Sequence, residues 1–154
     1  MYDFLDYRVE DVMTTTPVML ASGRSLADAE VLFEKHDFNA LPVVAGDGEL
    51  LGVITKLDLL RAFRFTDEQV FPPYDEIMRR PVSELMSQEP ATVTPRAPLT
   101  RVLEKLVRTG HKSFPVVDGD TLVGVVARED VLRGLRRAIA GERPWTGGGE
   151  PDPS

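Results

Sequence analysis

Cysteine is absent from the 154 residues. Disulfides, thiolate metal sites and a cysteine nucleophile are therefore excluded, and the composition fits a reducing compartment. Positive charge is in deficit: 18 Lys and Arg stand against 25 Asp and Glu, a formal net charge of -7. Nucleic-acid binding needs basic patches to neutralise phosphates, so general binding of that kind is not expected, although one local anion site stays open. Long apolar runs are also missing. The longest are about strand length, well under the ~20 residues that span a bilayer. The opening "MYDFLDYRVED" has no basic stretch leading into an apolar one, so it does not read as a secretory signal. No glycine-rich phosphate loop, no metal-ligand spacing and no nucleophile–base constellation stands out.

What is present is a repetition. "LPVVAGDGELLGVITKLD", Leu41 to Asp58, returns as "FPVVDGDTLVGVVARED", Phe114 to Asp130. A shift of 73 brings Val9 onto Val82, Met13 onto Met86, Pro17 onto Pro90 and Leu26 onto Leu99. After the GD turns the shift becomes 72, and Gly52 meets Gly124 while Asp58 meets Asp130. The lost residue falls in a turn, where chains tolerate deletion best. Register kept across the flanking elements marks an internal duplication.

Each copy reads β-α-β-β-α. A "VxxxM" turn comes first, Val9–Met13 or Val82–Met86. A short strand follows, expected at Val18–Leu20 and at Ala91–Val93. The first helix carries apolar residues at helical spacing: Leu26, Ala29, Leu32 and Phe33 in one copy, Leu99, Val102, Leu103, Leu106 and Val107 in the other. Two β-rich runs then flank a turn, Gly46–Gly48 or Gly119-Asp120, which predicts a hairpin. A second helix closes each copy, with Leu57, Leu60 and Phe63 or Val131, Leu135 and Ile139 as its apolar set. The fold class is α/β in the α+β sense: two repeats related by pseudo-two-fold symmetry, with their sheets packed together because neither copy alone buries enough surface. The expected divisions are a first repeat over 1–63, a linker over 64–81 with a short helix at Tyr74–Met78, a second repeat over 82–140 and a disordered tail over 141–154. Pro72-Pro73 interrupts helix in the linker. Trp145 in the tail is a candidate for docking on a partner.

Certain positions suit chemistry. Thr55, Lys56 and Asp58 stand where a strand gives way to a helix, and T-x-x-D there is a capping signature. The same helix end can hold a phosphate on its amides. The two roles are compatible. In the second copy Ala127 replaces Thr55, which removes one hydroxyl, while Asp130 is kept. Lys56 and Arg128 share one repeat position inside a helix N-terminus, where a cation opposes the helix dipole. That placement suggests either a nearby anion or a solvated or carboxylate-paired side chain. Lys112 and His111 precede the second "FPVV" run, within possible reach of a phosphate. His36 and His111 do not match under the shift and read as surface or hinge residues. Pro42 and Pro115 are expected to begin buried strands, where a missing N–H is tolerated.

Taken together, two copies of "V-x-x-x-M-(T/S)-x-x-P", "P-V-V-x-G-D" and "G-V-(I/V)-x-x-x-D" resemble a tandem pair of cystathionine-beta-synthase (CBS) domains, a Bateman module without an attached catalytic or transporter domain. The resemblance spans about Val9 to Ile139. It implies a regulatory module that binds adenosine-containing ligands in clefts between its halves and pairs into a flat homodimer. "GVITKLD", Gly52–Asp58, matches the family's ribose-phosphate pattern in full; "GVVARED", Gly124–Asp130, departs from it at Ala127. A carboxylate suits a ribose because it accepts from both the 2′ and 3′ hydroxyls. Carried onto this sequence, the resemblance points to Thr16, Pro17, Leu41 and Pro42 on the adenine side, with Thr55, Lys56 and Asp58 toward ribose and phosphate. Pro115, Arg128 and Asp130 are the second-copy counterparts of Pro42, Lys56 and Asp58, and Lys112, where the first copy has Asn39, is a further phosphate-side candidate. Each is also consistent with simple packing or capping. The two sites are expected to be unequal, the first being the better nucleotide site.

Three classes of function are then distinguishable. The first is a cytoplasmic sensor of AMP, ADP, ATP, S-adenosylmethionine or an NAD-type molecule that signals to a protein partner, with no required cofactor and no metal. The second is a dimerisation or protein-interaction module that works without a ligand. The third, an enzyme, lacks any supporting constellation.

Overall fold

The computed structural model describes residues 3–64 and 73–144. The chain divides into two compact units, one from Val18 to Pro90 and the other joining the residues up to Pro17 to those from Ala91 onward. Residues 65–72 of the expected linker and 145–154 of the expected tail, with Trp145, lie outside the described residues.

The Val18–Pro90 unit contains β1 (Leu20–Ala21), α1 (Leu26–Lys35), β2 (Ala40–Val44), β3 (Leu50–Thr55), α2 (Lys56–Ala62), α3 (Tyr74–Met78) and β4 (Ser87–Gln88). Its sheet runs β1-β2-β3-β4. β1 is parallel to β2, and the other two pairings are antiparallel. The turn between β2 and β3 closes through the Ala45 N–H on the Glu49 carbonyl at 2.9 Å. Gly48 takes φ 91° there, a left-handed angle that glycine adopts without a Cβ penalty. α1 begins at a capping box in which the Ser25 hydroxyl accepts from Asp28 N–H at 3.2 Å and the Asp28 carboxylate accepts from Ser25 N–H at 3.1 Å. The apolar stripe of α1 then buries Leu26, Ala29 and Phe33 against Leu41, Val43, Ile54 and Val82.

The other unit contains α4 (Leu99–Thr109), β5 (Ser113–Asp118), β6 (Thr121–Ala127) and α5 (Arg128–Ile139), with a 3-10 turn at Val9–Asp11. Its antiparallel hairpin has the register of the first, Pro115 opposite Val125 as Pro42 is opposite Val53, and both hairpins slip by one residue at the same repeat position. The flanking strands shrink to single bridges. Val93 bridges Val116 in parallel and Thr14 bridges Val125 antiparallel. The core gathers Tyr7, Val9, Val12, Leu99, Val102, Leu106, Phe114, Val116 and Val126.

The duplicated methionine turns explain themselves here. Val9–Met13 packs in the unit that holds the second hairpin, and Val82–Met86 in the unit that holds the first. A Cβ on Gly52 would lie 2.5 Å from the Ser87 carbonyl and 2.8 Å from Met86 Sδ. A Cβ on Gly124 would lie 2.6 Å from the Thr14 carbonyl and 3.0 Å from Met13 Sδ. Each glycine leaves room for the neighbouring backbone to reach its sheet edge. The stretch that repeats in sequence is thus not the body that packs in space.

Several expectations need correction. The first strand is Leu20–Ala21 rather than Val18–Leu20, and the strand expected over Ala91–Val93 reduces to the bridge at Val93. Pro42 and Pro115 sit third in β2 and β5, not first. Pro115 is tolerated because its carbonyl accepts from Val93 N–H, so its nitrogen faces the flank where pairing is a single bridge. Leu57, Leu60 and Ile139 are exposed, as is Val107, so only part of each closing helix's apolar set enters a core. α3 occupies the expected Tyr74–Met78. Glu142, at the start of the expected tail, is held: its carbonyl accepts from the Tyr7 hydroxyl at 2.9 Å. Among the described residues no helix is long and apolar enough to cross a membrane.

Candidate functional site

In the first unit β3 delivers Thr55 to the start of α2, where it serves as the N-cap in extended conformation. Its hydroxyl accepts from Asp58 N–H at 3.1 Å and donates to Asp58 Oδ2 at 2.9 Å. The same Oδ2 accepts from Thr55 N–H at 2.8 Å. The capping reading of T-x-x-D therefore holds in full. Asp58 is only 4% exposed, and its second oxygen, Oδ1, meets Arg61 Nη1 at the long distance of 3.5 Å. The β2–β3 register sets Ala40 opposite Thr55, Leu41 opposite Ile54 and Pro42 opposite Val53. Leu41 and Pro42 are buried beside this junction. Lys56 is exposed; its N–H donates to the Asn39 carbonyl at 3.3 Å, and its Nζ lies 6.0 Å from the Phe33 ring centroid. The structure thus brings Leu41, Pro42, Thr55, Lys56 and Asp58 to one edge of one unit. Thr16, exposed, and Pro17, half-buried, belong by packing to the other unit.

The second junction keeps the backbone and changes the side chains. Ala127 N–H donates to Asp130 Oδ2 at 2.8 Å, so half of the capping box survives without a hydroxyl. Asp130 Oδ1 accepts from Arg133 Nη2 at 2.7 Å, and that same nitrogen donates to the Val12 carbonyl at 3.0 Å. Arg128 does not pair with Glu129 or Asp130. Its Nε and Nη2 donate to the carbonyls of His111 at 3.0 Å and Gly110 at 2.7 Å, just beyond the end of α4. A cation there complements the carbonyl end of a helix. Arg128 N–H donates to the Lys112 carbonyl at 3.1 Å, while the Lys112 side chain is exposed. Pro115 is buried in β5.

Sequence reasoning passed over Arg61 and Arg133, the cations on the aspartates of the two junctions. The spacing D-x-x-R, one helical turn apart on both closing helices, was the available signal. It also passed over Asp11, a buried carboxyl that accepts from Arg8 N–H at 2.7 Å and is pushed above the ordinary carboxylate value by burial. Burial likewise raises the Tyr7 phenol, with help from the charge of Glu142. A depression of about 380 Å³ is lined by Arg133, Arg136, Arg137 and Glu142, and includes none of the expected site residues. Burial and the neighbouring Arg133 lower the pKa of Arg137 there.

The family model described as CBS domain matches twice, over residues 9–64 and 82–137. The CBS domain-containing protein YhcV of Bacillus subtilis is 31% identical over 123 residues, covering 80% of this chain and 81% of that protein. The A-adding tRNA nucleotidyltransferase of Aquifex aeolicus is 29% identical over 136 residues, covering 88% of this chain and only 15% of the enzyme. Among solved structures, CBSX2 in complex with AMP is 26% identical with a TM-score of 0.73, covering 86% of this chain and 98% of that one. The CBS domain pair of MJ0100 in complex with 5′-methylthioadenosine and S-adenosyl-L-methionine is 28% identical with a TM-score of 0.63, covering 82% and 93%.

Proposed function

The chain belongs to the CBS-domain family, and from that premise we propose that it is a cytoplasmic, non-catalytic regulatory module that binds an adenosine-containing ligand at the Thr55–Asp58 junction and signals to a protein partner. The observation that carries this reading is the buried Asp58 carboxylate, one oxygen fixed by capping and the other met only at 3.5 Å. A fixed carboxylate whose second oxygen is only loosely held, by the exposed Arg61, suits two adjacent ribose hydroxyls. The complexes of CBSX2 with AMP and of the MJ0100 pair with 5′-methylthioadenosine and S-adenosyl-L-methionine support this ligand class. Such a ligand regulates only through differential affinity for two states of the module. The enzymes among the curated relatives are much longer than this chain, which spans 15% of the Aquifex enzyme, so their activities are not carried over.

The reading includes a homodimer. Leu57 and Leu60 on α2, and Leu132 and Ile139 on α5, stand exposed. Leu60 and Leu132 occupy the same repeat position, so a second copy would find equivalent apolar anchors. Sedimentation of the wild type and of Leu60→Glu should show twice the chain mass and a monomer respectively; a monomeric wild type removes the dimer.

The ligand test is thermal unfolding against AMP, ADP, ATP, S-adenosylmethionine, NADH and phosphate. A ligand at 100 times its Kd stabilises the fold by about 2.7 kcal/mol. The shift is expected for an adenosine ligand, to vanish in Asp58→Asn and to persist in Asp130→Asn. Flat curves throughout would favour the second reading, a ligand-independent interaction module. The specific observation on its side is that Thr55 and Asp58 already satisfy one another as a helix cap.

A further inference from the structure

The two junctions share a backbone and a buried aspartate but differ in what holds the outer carboxylate oxygen. Asp58 Oδ1 meets Arg61 at 3.5 Å, and the Arg61 side chain is 60% exposed. Asp130 Oδ1 is held by Arg133 at 2.7 Å. Arg133 is itself anchored, because the same Nη2 donates to the Val12 carbonyl at 3.0 Å. Val12 is buried in the core of that unit, so this anchor point is fixed. A short charge-assisted hydrogen bond is roughly twice as strong as a neutral one. A ribose approaching Asp130 would have to displace a guanidinium tied at two points and leave the Val12 carbonyl without it. A ribose approaching Asp58 displaces only a loosely placed, solvated one.

We propose that Arg133 is a specificity-determining residue that closes the second repeat to adenosine ligands by occupying Asp130 from within, so that the module carries one competent site per chain. The proposal rests on the Asp58 reading above for its ligand class. It goes beyond the missing hydroxyl at Ala127, which removes one contact yet leaves the carboxylate in place. Arg133 decides occupancy, and Ala127 only the strength of what then binds.

The test counts AMP molecules bound per chain by titration calorimetry in the full-length protein, with folding checked by circular dichroism. Wild type should bind one AMP. Arg133→Met should bind a second, on the order of tenfold more weakly because the threonine hydroxyl is missing. Adding Asp130→Asn should abolish that second event while the first remains. Ala127→Thr alone should still bind one, and the pair Ala127→Thr with Arg133→Met should bring the second event close to the first in affinity. Should Arg133→Met fail to fold, Arg133→Gln serves in its place. A second AMP in Ala127→Thr alone, or no second AMP once Arg133 is replaced, overturns the proposal. If wild type binds none and Arg133→Met binds one through Asp130, the Asp58 reading fails and the closure by Arg133 stands.

Discussion

Thr55 and Ala127 hold nearly the same backbone angles, φ -116° and ψ 164° against φ -115° and ψ 170°. A hydroxyl restored at 127 would therefore meet Asp130 N–H as the Thr55 hydroxyl meets Asp58 N–H. Ala127→Thr should stabilise the fold by about 0.5–1 kcal/mol, and Thr55→Ala should cost about 1 kcal/mol, the usual worth of a cap. Urea denaturation measures both, and equal midpoints for either variant and wild type would refute the cap. Asp11 gives a pH dependence with a definite sign. Its folded pKa is raised by burial, so the folded state holds a proton more tightly than the unfolded chain. Stability from this group falls as pH rises from the ordinary carboxylate value to the raised one, and the penalty is complete above it. Asp11→Asn keeps an acceptor for Arg8 N–H and has nothing to ionise. Its stability relative to wild type should grow between acid and neutral pH; a difference that stays constant or shrinks would contradict the direction.

At the scale of elements, the repeated glycine and the repeated methionine turn act as a matched pair. Each glycine lies where a carbonyl of the neighbouring edge and a methionine sulfur would crowd a Cβ. The closest atom at Gly52 is backbone, which cannot swing aside as a flexible side chain can. Gly52→Ala should therefore cost about 2–3 kcal/mol, in the range for overpacked interiors. Gly46→Ala, where a Cβ would meet nothing within 4 Å, is the control and should change little. Equal denaturation midpoints for the two variants would remove the role assigned to Gly52. The same logic accounts for α5: Arg128 at its start secures the carbonyls beyond α4, so a residue that looked misplaced against its own helix dipole serves its neighbour.

At the scale of the molecule, each unit borrows its edge from the other sequence copy. A peptide of residues 18–90 contains β4 and Met86, whereas a peptide of residues 1–63 contains the whole first repeat and lacks both. The first should show strand and helix by circular dichroism and dispersed amide resonances, and the second should not. Order in the 1–63 peptide equal to that in 18–90 would mean that the sequence repeat is the folding unit after all. Small domains near this length are marginal, so losing one edge strand and the half-buried methionine packed against the core is enough to separate the two.

The duplication, the α/β class, both hairpins, both pairs of helices and the capping pair Thr55–Asp58 were legible in the sequence. Periodicity, turn residues and cap spacing are local, and local geometry is written in neighbouring residues. α3 at Tyr74–Met78 belongs to the same set. Three features were decided by the tertiary structure. The Val9–Met13 and Val82–Met86 turns pack away from the copy that carries them, because their partners, Gly124 and Gly52, are more than thirty positions distant along the chain or precede them. Leu57, Leu60 and Ile139 face outward although their spacing suits a core, because which stripe of a short helix is covered depends on what packs against it. The inequality of the two aspartates was only half visible. The exchange of threonine for alanine could be read directly, but Arg61 and Arg133 are the same residue at the same spacing, and only the Val12 carbonyl, brought up from the start of the chain, draws one of them onto its carboxylate.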